Sequence, residues 1–430
     1  MHQLLAQAAP ETTLPADWSN AWSVCLQFWP VLALAFGASL ILTPLMRKLA
    51  LANGIVDLPD ARRKAHAKPV AYLGGLSIFL GWLVGLVIFV GILIGNDHND
   101  TFAKLLGENL SAITFIAMGA TAIVLTGLFD DIYGMRARVK IGGQLFAAAA
   151  IAQTRAIEDV LIRSFELVSL EPSSFVLQLV GTAAIAVLVV GCCNAMNLID
   201  GLDGLSSGVT TIAMGGMLAI CILILSRYHG DQYVVSHLGI PMLLTFATIG
   251  AVAGFLPYNF NPASIFMGDT GSLLLGFLCV VTILFMGRLD NNAGLSPTVF
   301  TGAAICFALP VTDTALSIVR RKLSGRPIFA PDSMHMHHMF RRCGLSVKKS
   351  VFCMYAMGLI FSITGFSLVF FSLNWKVVLA AFALTVLLIL IVGYRVSCRL
   401  QATEAAHPKP AEAPGTPGPP AAPKPRAQAS

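Results

Sequence analysis

Asn194-Ala-Met-Asn197-Leu-Ile-Asp200-Gly-Leu-Asp203-Gly204 follows the apolar run 175–193 without a break, and a second run, 206–225, leads away from it. About 20 apolar residues cross the hydrocarbon core of a bilayer, so both flanks read as transmembrane helices. The polar stretch then lies at a membrane edge, where carboxylates are costly and are kept for function. Asp200 and Asp203 stand three residues apart and each precedes a glycine. They can turn toward one point, which suits a hard cation or a phosphate-bearing ligand. The competing reading is a polar turn that only caps two helices. One such turn does not decide between them.

Composition widens the membrane reading to the whole chain. Of 430 residues 56% are hydrophobic and 12% charged, far from a soluble domain. Eleven apolar spans follow: 24–46, 73–95, 111–129, 141–153, 175–193, 206–226, 237–257, 271–287, 298–319, 351–373 and 377–396. The fourth is short and Ala-rich and is a candidate re-entrant segment. The predicted class is therefore an all-α, polytopic integral membrane helical bundle, with one domain over 24–396. Residues 1–23 read as a short exposed periplasmic arm, because no basic region precedes the first apolar run. Residues 401–430, Ala- and Pro-rich, read as a disordered tail. Alternate loops and the C-terminus hold 22 Lys and Arg, and the opposite set holds six. By the positive-inside rule the N-terminus is outside and the C-terminus cytoplasmic. Loop cations also account for the net charge of +6, so no nucleic acid is implied. The nine cysteines lie mostly inside apolar runs, with no Cys-x-x-Cys pair, and read as small hydrophobic filler.

This topology gathers the other polar turns onto the face of Asp200. Asp130-Asp131 ends the third span, ahead of Arg136, Arg138 and Lys140. Adjacent carboxylates repel unless a cation neutralises them, which suits metal binding or a base for a phosphate nucleophile. The plain alternative is a solvated helix end. Asn259 and Phe266 lead to Met267-Gly268-Asp269-Thr270-Gly271-Ser272 at the start of the eighth span. A helix N-terminus favours anions, so Asp269 either caps the helix or holds a cation while the helix end faces phosphate oxygens. Phe266 stacks on a base or packs in the core. After the ninth span come His335, His337 and His338 with Arg341 and Arg342, read as a phosphate-binding patch. A zinc site with Cys343 is the rival, although zinc demands tetrahedral convergence that nothing in the sequence fixes. Asp313 lies two turns from Arg320, near enough to the edge to support the site through a hydrogen bond. The loop Asp57-Leu-Pro59 to Lys68-Pro69 is an orientation signal or a polyanion-binding segment.

Carboxylates, carboxamides, a helix end and basic loops on one face fit Mg²⁺-assisted chemistry on phosphates, which needs positioning and charge neutralisation. No Gly-x-x-x-x-Gly-Lys loop points to ATP. An ion-coupled transporter would place its ionisable groups near the midplane, whereas these cluster at one face. A binding-only membrane protein is the third class, and the presence of all five principal aspartates speaks against it.

Taken together and in order, Asp57-Leu-Pro, Arg63-Lys64-Ala-His66, Gly74-Gly75, Asp130-Asp131, Asn197-Leu-Ile-Asp200-Gly-Leu-Asp203, Phe266-Met-Gly-Asp269-Thr-Gly-Ser and His335-Met-His337-His338 carry a resemblance over residues 30–395. The chain resembles the polyprenyl-phosphate N-acetylhexosamine-1-phosphate transferases, most of all the bacterial undecaprenyl-phosphate N-acetylglucosamine-1-phosphate transferases of the WecA/TagO type. The resemblance implies a bacterial cytoplasmic (inner) membrane enzyme with its active site on the cytoplasmic face. Its substrates would be a UDP-N-acetylhexosamine and undecaprenyl phosphate, its cofactor Mg²⁺ with Mn²⁺ the alternative, and a homodimer its possible assembly. By motif, Asp269 is the expected metal ligand, with Asp203 beside it. Asp130 is the expected base or nucleophile, with Asp131, Asp200, Asp203 and His337 in the catalytic set. Asn259 and Phe266 match uridine contacts. Lys68, Lys140, Asn194, Asn197, His335, His338 and Arg341 complete the expected substrate-binding set.

Overall fold

The computed structural model describes residues 17–57, 69–95, 100–166, 169–228, 232–289, 295–325, 327 and 334–406. The helices are α1 (Trp18–Leu26), α2 (Trp29–Ala52), α3 (Gly74–Gly95), α4 (Asp100–Tyr133), α5 (Ala137–Ala152), α6 (Glu158–Glu166), α7 (Ser174–Ile199), α8 (Leu205–Arg227), α9 (Gln232–Asn259), α10 (Gly268–Met286), α11 (Leu295–Cys306), α12 (Ala308–Leu323), α13 (Met336–Arg342), α14 (Val347–Phe370) and α15 (Trp375–Ala406). Among the described residues, nine helical segments are long and apolar enough to cross a membrane, and α11 with α12 makes a tenth as a bent pair. The protein is an all-α polytopic membrane bundle.

The reason is solvent. In hydrocarbon every backbone N–H and C=O must find its partner inside the segment, which long apolar helices achieve. Helix contact there depends on close packing rather than on water exclusion. α10 is the axis: every residue from Thr270 to Met286 is buried, against α3, α4, α7 and α9. Gly127 of α4 sits on its first turn, where an added Cβ would come within 2.5 Å of Thr270 Cα. Only glycine lets the end of α4, with its aspartates, lie directly on that turn. At the periphery, α15 shows Leu384, Leu387 and Leu388 to its surroundings. Trp18, Trp22 and Trp29 are exposed around α1, as interfacial aromatics are.

Three features differ from the sequence reading. The ninth span is broken between α11 and α12 by a bend of 68°. Pro310 is the cause, because it cannot donate to the carbonyl one turn back and its ring crowds that carbonyl. Residues 18–23 of the expected arm are already helical, with Asp17 accepting from Ser19 and Asn20 N–H groups at the helix start. α15 continues to Ala406, six residues into the expected tail.

A small ladder completes the face that carries the site. β1 (Val56–Asp57) pairs antiparallel with β2 (Val70–Ala71). Ala71 also bridges Ile265, and Phe266 N–H donates to Ala71 O at 2.9 Å. Gly74 and Gly75 N–H groups donate to Phe266 O and Met267 O at 3.0 and 2.9 Å. Two loops almost 200 residues apart in sequence are thereby pinned together ahead of α3 and α10.

Candidate active site

Helix ends converge on one point of that face. Asp130 ends α4, Lys140 starts α5, Asn197 and Asp200 end α7, and Asp269 starts α10. Lys140 Nζ lies 2.9 Å from Asp130 Oδ2 and pairs even more closely with Asp269 Oδ2. Asn197 Nδ2 donates to Asp269 Oδ1 at 2.7 Å and to Ser272 Oγ at 2.9 Å. Asp130 Oδ1 accepts the Met135 N–H at 2.7 Å, which fixes the chain as it leaves α4.

The neighbouring aspartates divide their work. Asp131 accepts from Asp269 N–H at 2.8 Å, Thr270 N–H at 3.0 Å and Thr270 Oγ1 at 2.6 Å. It caps α10 and uses the amides that the sequence reading left open for phosphate oxygens. The first turn of α10 therefore faces a protein carboxylate, and Asp269 is not its cap. Asp130 faces the cluster instead.

Asp200, at the end of α7, is half-buried. Burial pushes its carboxyl up to about 7, with Asp269, Asp131 and Asp203 adding repulsion. Asp203 Oδ2 accepts from Asn261 Nδ2 at 2.8 Å and Ala263 N–H at 3.0 Å, so this oxygen anchors the α9–α10 loop.

Opposite the carboxylates, His337 of α13 is 1% exposed, and neither ring nitrogen has a hydrogen-bond partner. It lies against Gly201, between Asp200 and Asp203, where any Cβ would collide with its Nε2. Burial, reinforced by His338, drives its pKa down to about 3, so the ring is neutral at physiological pH.

The cluster holds more carboxylates than cations, which suits a divalent ion. Among the described residues no three acidic, His or Cys side chains converge at metal-ligating geometry. Mg²⁺ tolerates this, because it is commonly held by one or two carboxylates plus waters and substrate phosphates. The ammonium of Lys140 already stands between two carboxylates, as a cation does. The donor set fits Mg²⁺.

Comparison with known proteins identifies the family. The family described as glycosyl transferase family 4 matches residues 113–287, the segment from α4 to α10 that bears all five aspartates. A probable undecaprenyl-phosphate N-acetylglucosaminyl 1-phosphate transferase of Bacillus subtilis (strain 168) is 36% identical over 326 residues, 76% of this chain and 80% of the relative. The chain belongs to the polyprenyl-phosphate N-acetylhexosamine-1-phosphate transferase family. A decaprenyl-phosphate N-acetylglucosaminephosphotransferase of Mycobacterium tuberculosis (strain ATCC 25618 / H37Rv) is 33% identical over 76% of this chain and 79% of its own length. A phospho-N-acetylmuramoyl-pentapeptide-transferase of Bacillus cytotoxicus is 29% identical over 77% and 94%.

Not every residue expected of this transferase reaches the cluster with a free side chain. Asn259 is 4% exposed; its Oδ1 accepts from Gly204 N–H and Ser207 Oγ at 3.1 and 3.2 Å, and its Nδ2 donates to Ile265 O at 3.1 Å. It is a strut between α8 and the α9–α10 loop, where a uridine contact was expected. Asn194 donates to Gln144 Oε1 at 2.8 Å and Val190 O at 2.7 Å, one turn deeper than Asn197. His335 is buried and turned to Asp313. Arg341 is exposed and donates to Leu345 O at 2.7 Å, closing α13. His338 is half-buried, 4.2 Å from the His337 ring. Lys68 lies outside the described residues.

Phe266 is half-buried, its ring 6.1 Å from that of Tyr72 and edge-on to it. Tyr72 was missed from sequence. Its hydroxyl bonds Asp57, and burial, then Asp57 and Asp131, push its pKa up. The available signal was a tyrosine directly before Leu73-Gly74-Gly75, where Leu73 has φ 81° and redirects the chain.

Proposed function

We propose that the chain transfers N-acetylglucosamine 1-phosphate from UDP-N-acetylglucosamine to undecaprenyl phosphate. The products are undecaprenyl diphospho-N-acetylglucosamine and UMP, as the first membrane step of a cell-envelope polysaccharide. The site faces the cytoplasm of a bacterial inner membrane, the N-terminus is outside and the C-terminus inside. α5 is counted as an eleventh crossing: 16 residues give only about 24 Å, but its first turn carries Lys140 beside the site and the chain returns through α6 to the far end of α7. The observation that carries the reading is Lys140 held between Asp130 and Asp269 where four helix ends meet. A lysine so placed can exchange carboxylate oxygens for phosphate oxygens at little electrostatic cost.

In this reading Asp130 takes the remaining proton of the lipid phosphate monoester. An oxygen of that phosphate attacks the sugar-linked phosphorus, and the bond to the bridging oxygen of UMP breaks. Lys140 follows the charge onto the diphosphate. Asn197 keeps Asp269 in place through the step, and Asp131 keeps α10 at the height of Asp130. His337, neutral and shielded from water, offers a ring nitrogen to the diphosphate or the sugar. Asp269 would hold Mg²⁺, with Asp203 and Asp200 within the same cluster; when bound, the ion neutralises the diphosphate. Phe266 and Tyr72 form the aromatic wall for uracil.

The N-acetylglucosamine assignment is supported by relatives of 32–36% identity that bear that sugar in their names; at 27–29% both that sugar and the muramoyl-pentapeptide occur. Purified protein in nanodiscs, offered a panel of UDP-sugars with undecaprenyl phosphate and Mg²⁺, should release UMP from UDP-N-acetylglucosamine only when the lipid is present. UMP release without lipid, with phosphate trapped on Asp130, would replace direct attack by a covalent route. No release from any UDP-sugar would refute the reading.

A further inference from the structure

Behind His337 lies a second polar group that the proposed chemistry does not touch. Asp313, on α12, has no exposed surface. Its Oδ1 accepts the Met336 N–H at 2.7 Å, and its Oδ2 lies 2.8 Å from His335 Nδ1. Ser317, one turn along, places Oγ 3.2 Å from the same nitrogen and accepts from Arg320 Nη2 at 3.2 Å. Met336 opens α13, so one carboxylate both closes that helix and grips the residue before it. An ionised carboxylate only accepts, so His335 presents Nδ1–H. The His335 ring then lies parallel to that of His337, 7° between planes and 5.8 Å between centroids.

We infer that Asp313 and His335 are a positioning pair: from the broken span they set the height of α13, so that His337 meets Gly201 between Asp200 and Asp203. His335 is then not a substrate contact. The inference rests on the transferase reading of the site and assigns to it two residues outside the 113–287 family segment. A buried carboxylate is costly unless its partners are well placed. Asparagine would cap α13 equally well through one oxygen. A cap alone does not explain an acid here; a fixed imidazole tautomer does, by the logic through which a buried Asp orients a catalytic His.

Asp313→Asn separates the two roles, because its Oδ1 can still accept from Met336 while its amide opposes the His335 N–H. Expected is a fall in kcat of about 10- to 100-fold, with KM for UDP-N-acetylglucosamine within about threefold. His335→Phe, which keeps the stacked ring, should show the same pattern; a KM raised about tenfold at unchanged kcat would make His335 a substrate contact and overturn the inference. In a His337→Asn background, Asp313→Asn should cost less than about threefold more, since it acts through His337. A product of the two single losses would indicate a general folding defect and overturn the inference, as would Asp313→Asn with unchanged kcat. If His337→Asn leaves no measurable turnover, or the transferase reading itself fails, hydrogen exchange decides. Asp313→Asn must then speed exchange over 334–342 and leave 205–227 unchanged; no difference at 334–342 overturns the pairing without bearing on the reaction.

Discussion

The carboxylate cluster and the histidine loop meet at Gly201 and are built on opposite terms. On the cluster side the polar groups satisfy one another: Lys140 serves Asp130 and Asp269, Asn197 serves Asp269, and Asp131 serves α10. On the loop side the central ring is left with two unpartnered nitrogens, while behind it both oxygens of Asp313 are engaged by Met336 and His335. An unsatisfied buried polar atom costs about 1–3 kcal/mol, and such exceptions need a reason. The cluster can rearrange its charge onto a ligand without losing bonds. The loop holds an unused bonding group in reserve. A phosphate-transfer site needs both, a movable charge and a fixed donor or acceptor that water does not saturate.

The largest effect should come from breaking the cluster at its hub. Asp269→Asn keeps the contact to Asn197 but removes the charge that Lys140 and a divalent ion need. UMP release should fall by at least about a thousandfold, with the thermal midpoint within a few degrees of the parent. Normal UMP release by that variant would remove Asp269 from the site.

Next is the seam between the regions. Gly201→Ala puts a methyl group where His337 Nε2 sits. The ring or the turn must move, and overpacking of this kind costs about 1–3 kcal/mol. Turnover should drop about a hundredfold, and the loss should persist at saturating UDP-sugar. Recovery at high substrate would mean that the seam serves binding alone.

These two variants mark what could be read from the chain. The apolar runs forecast the helices, because in lipid nothing else can satisfy the backbone, and the order of the motifs forecast the shared face. The resemblance named Asp130 as the base, but nothing in the residues forecast that Asp131 would cap α10 and leave Asp130 to face the cluster. That depends on where the first turn of α10 lands, a packing outcome set by Gly127. Nor did it separate contact from strut at Asn194 and Asn259, since an amide looks the same in either role. The break at Phe307 was hidden because residues 302–311 around it are apolar or glycine on both sides, and Pro310 was its one trace. Tyr72 was hidden because it belongs to no acidic or basic cluster.

The comparison also has a pH signature, measurable as thermal midpoint in EDTA. His337, held down to about 3, is favoured in its neutral form by folding. Its contribution is complete above about 6.5 and is lost as pH falls toward 3. Asp200, pushed up to about 7, is also favoured neutral. Its contribution is complete below about 4 and is lost as pH rises through 7. Between about 4 and 6.5 the two changes oppose each other, so the midpoint should hold a plateau there and decline below about 4 and above about 6.5. His337→Asn should flatten the acid limb and Asp200→Asn the alkaline limb, each by a few degrees. Exchange of those assignments, with Asp200→Asn acting on the acid limb, would mean that burial does not govern Asp200.

The smallest effect tests a strut against a contact. Asn259→Ala removes one carbonyl that holds the start of α8 and one amide that holds Ile265. Each buried group left alone costs about 1–3 kcal/mol, so the midpoint should fall by several degrees. KM for the UDP-sugar should change less than about threefold, because no atom of the side chain is free to reach uracil while those bonds stand. Asn259→Asp retains the acceptor and loses the donor, and should lie between the parent and the alanine variant. If instead KM rises tenfold in both variants at an unchanged midpoint, Asn259 gives up its internal bonds when nucleotide arrives. The α9–α10 loop that bears Phe266 would then be part of the moving machinery, and the rigid half of the comparison would extend no further than α10 itself.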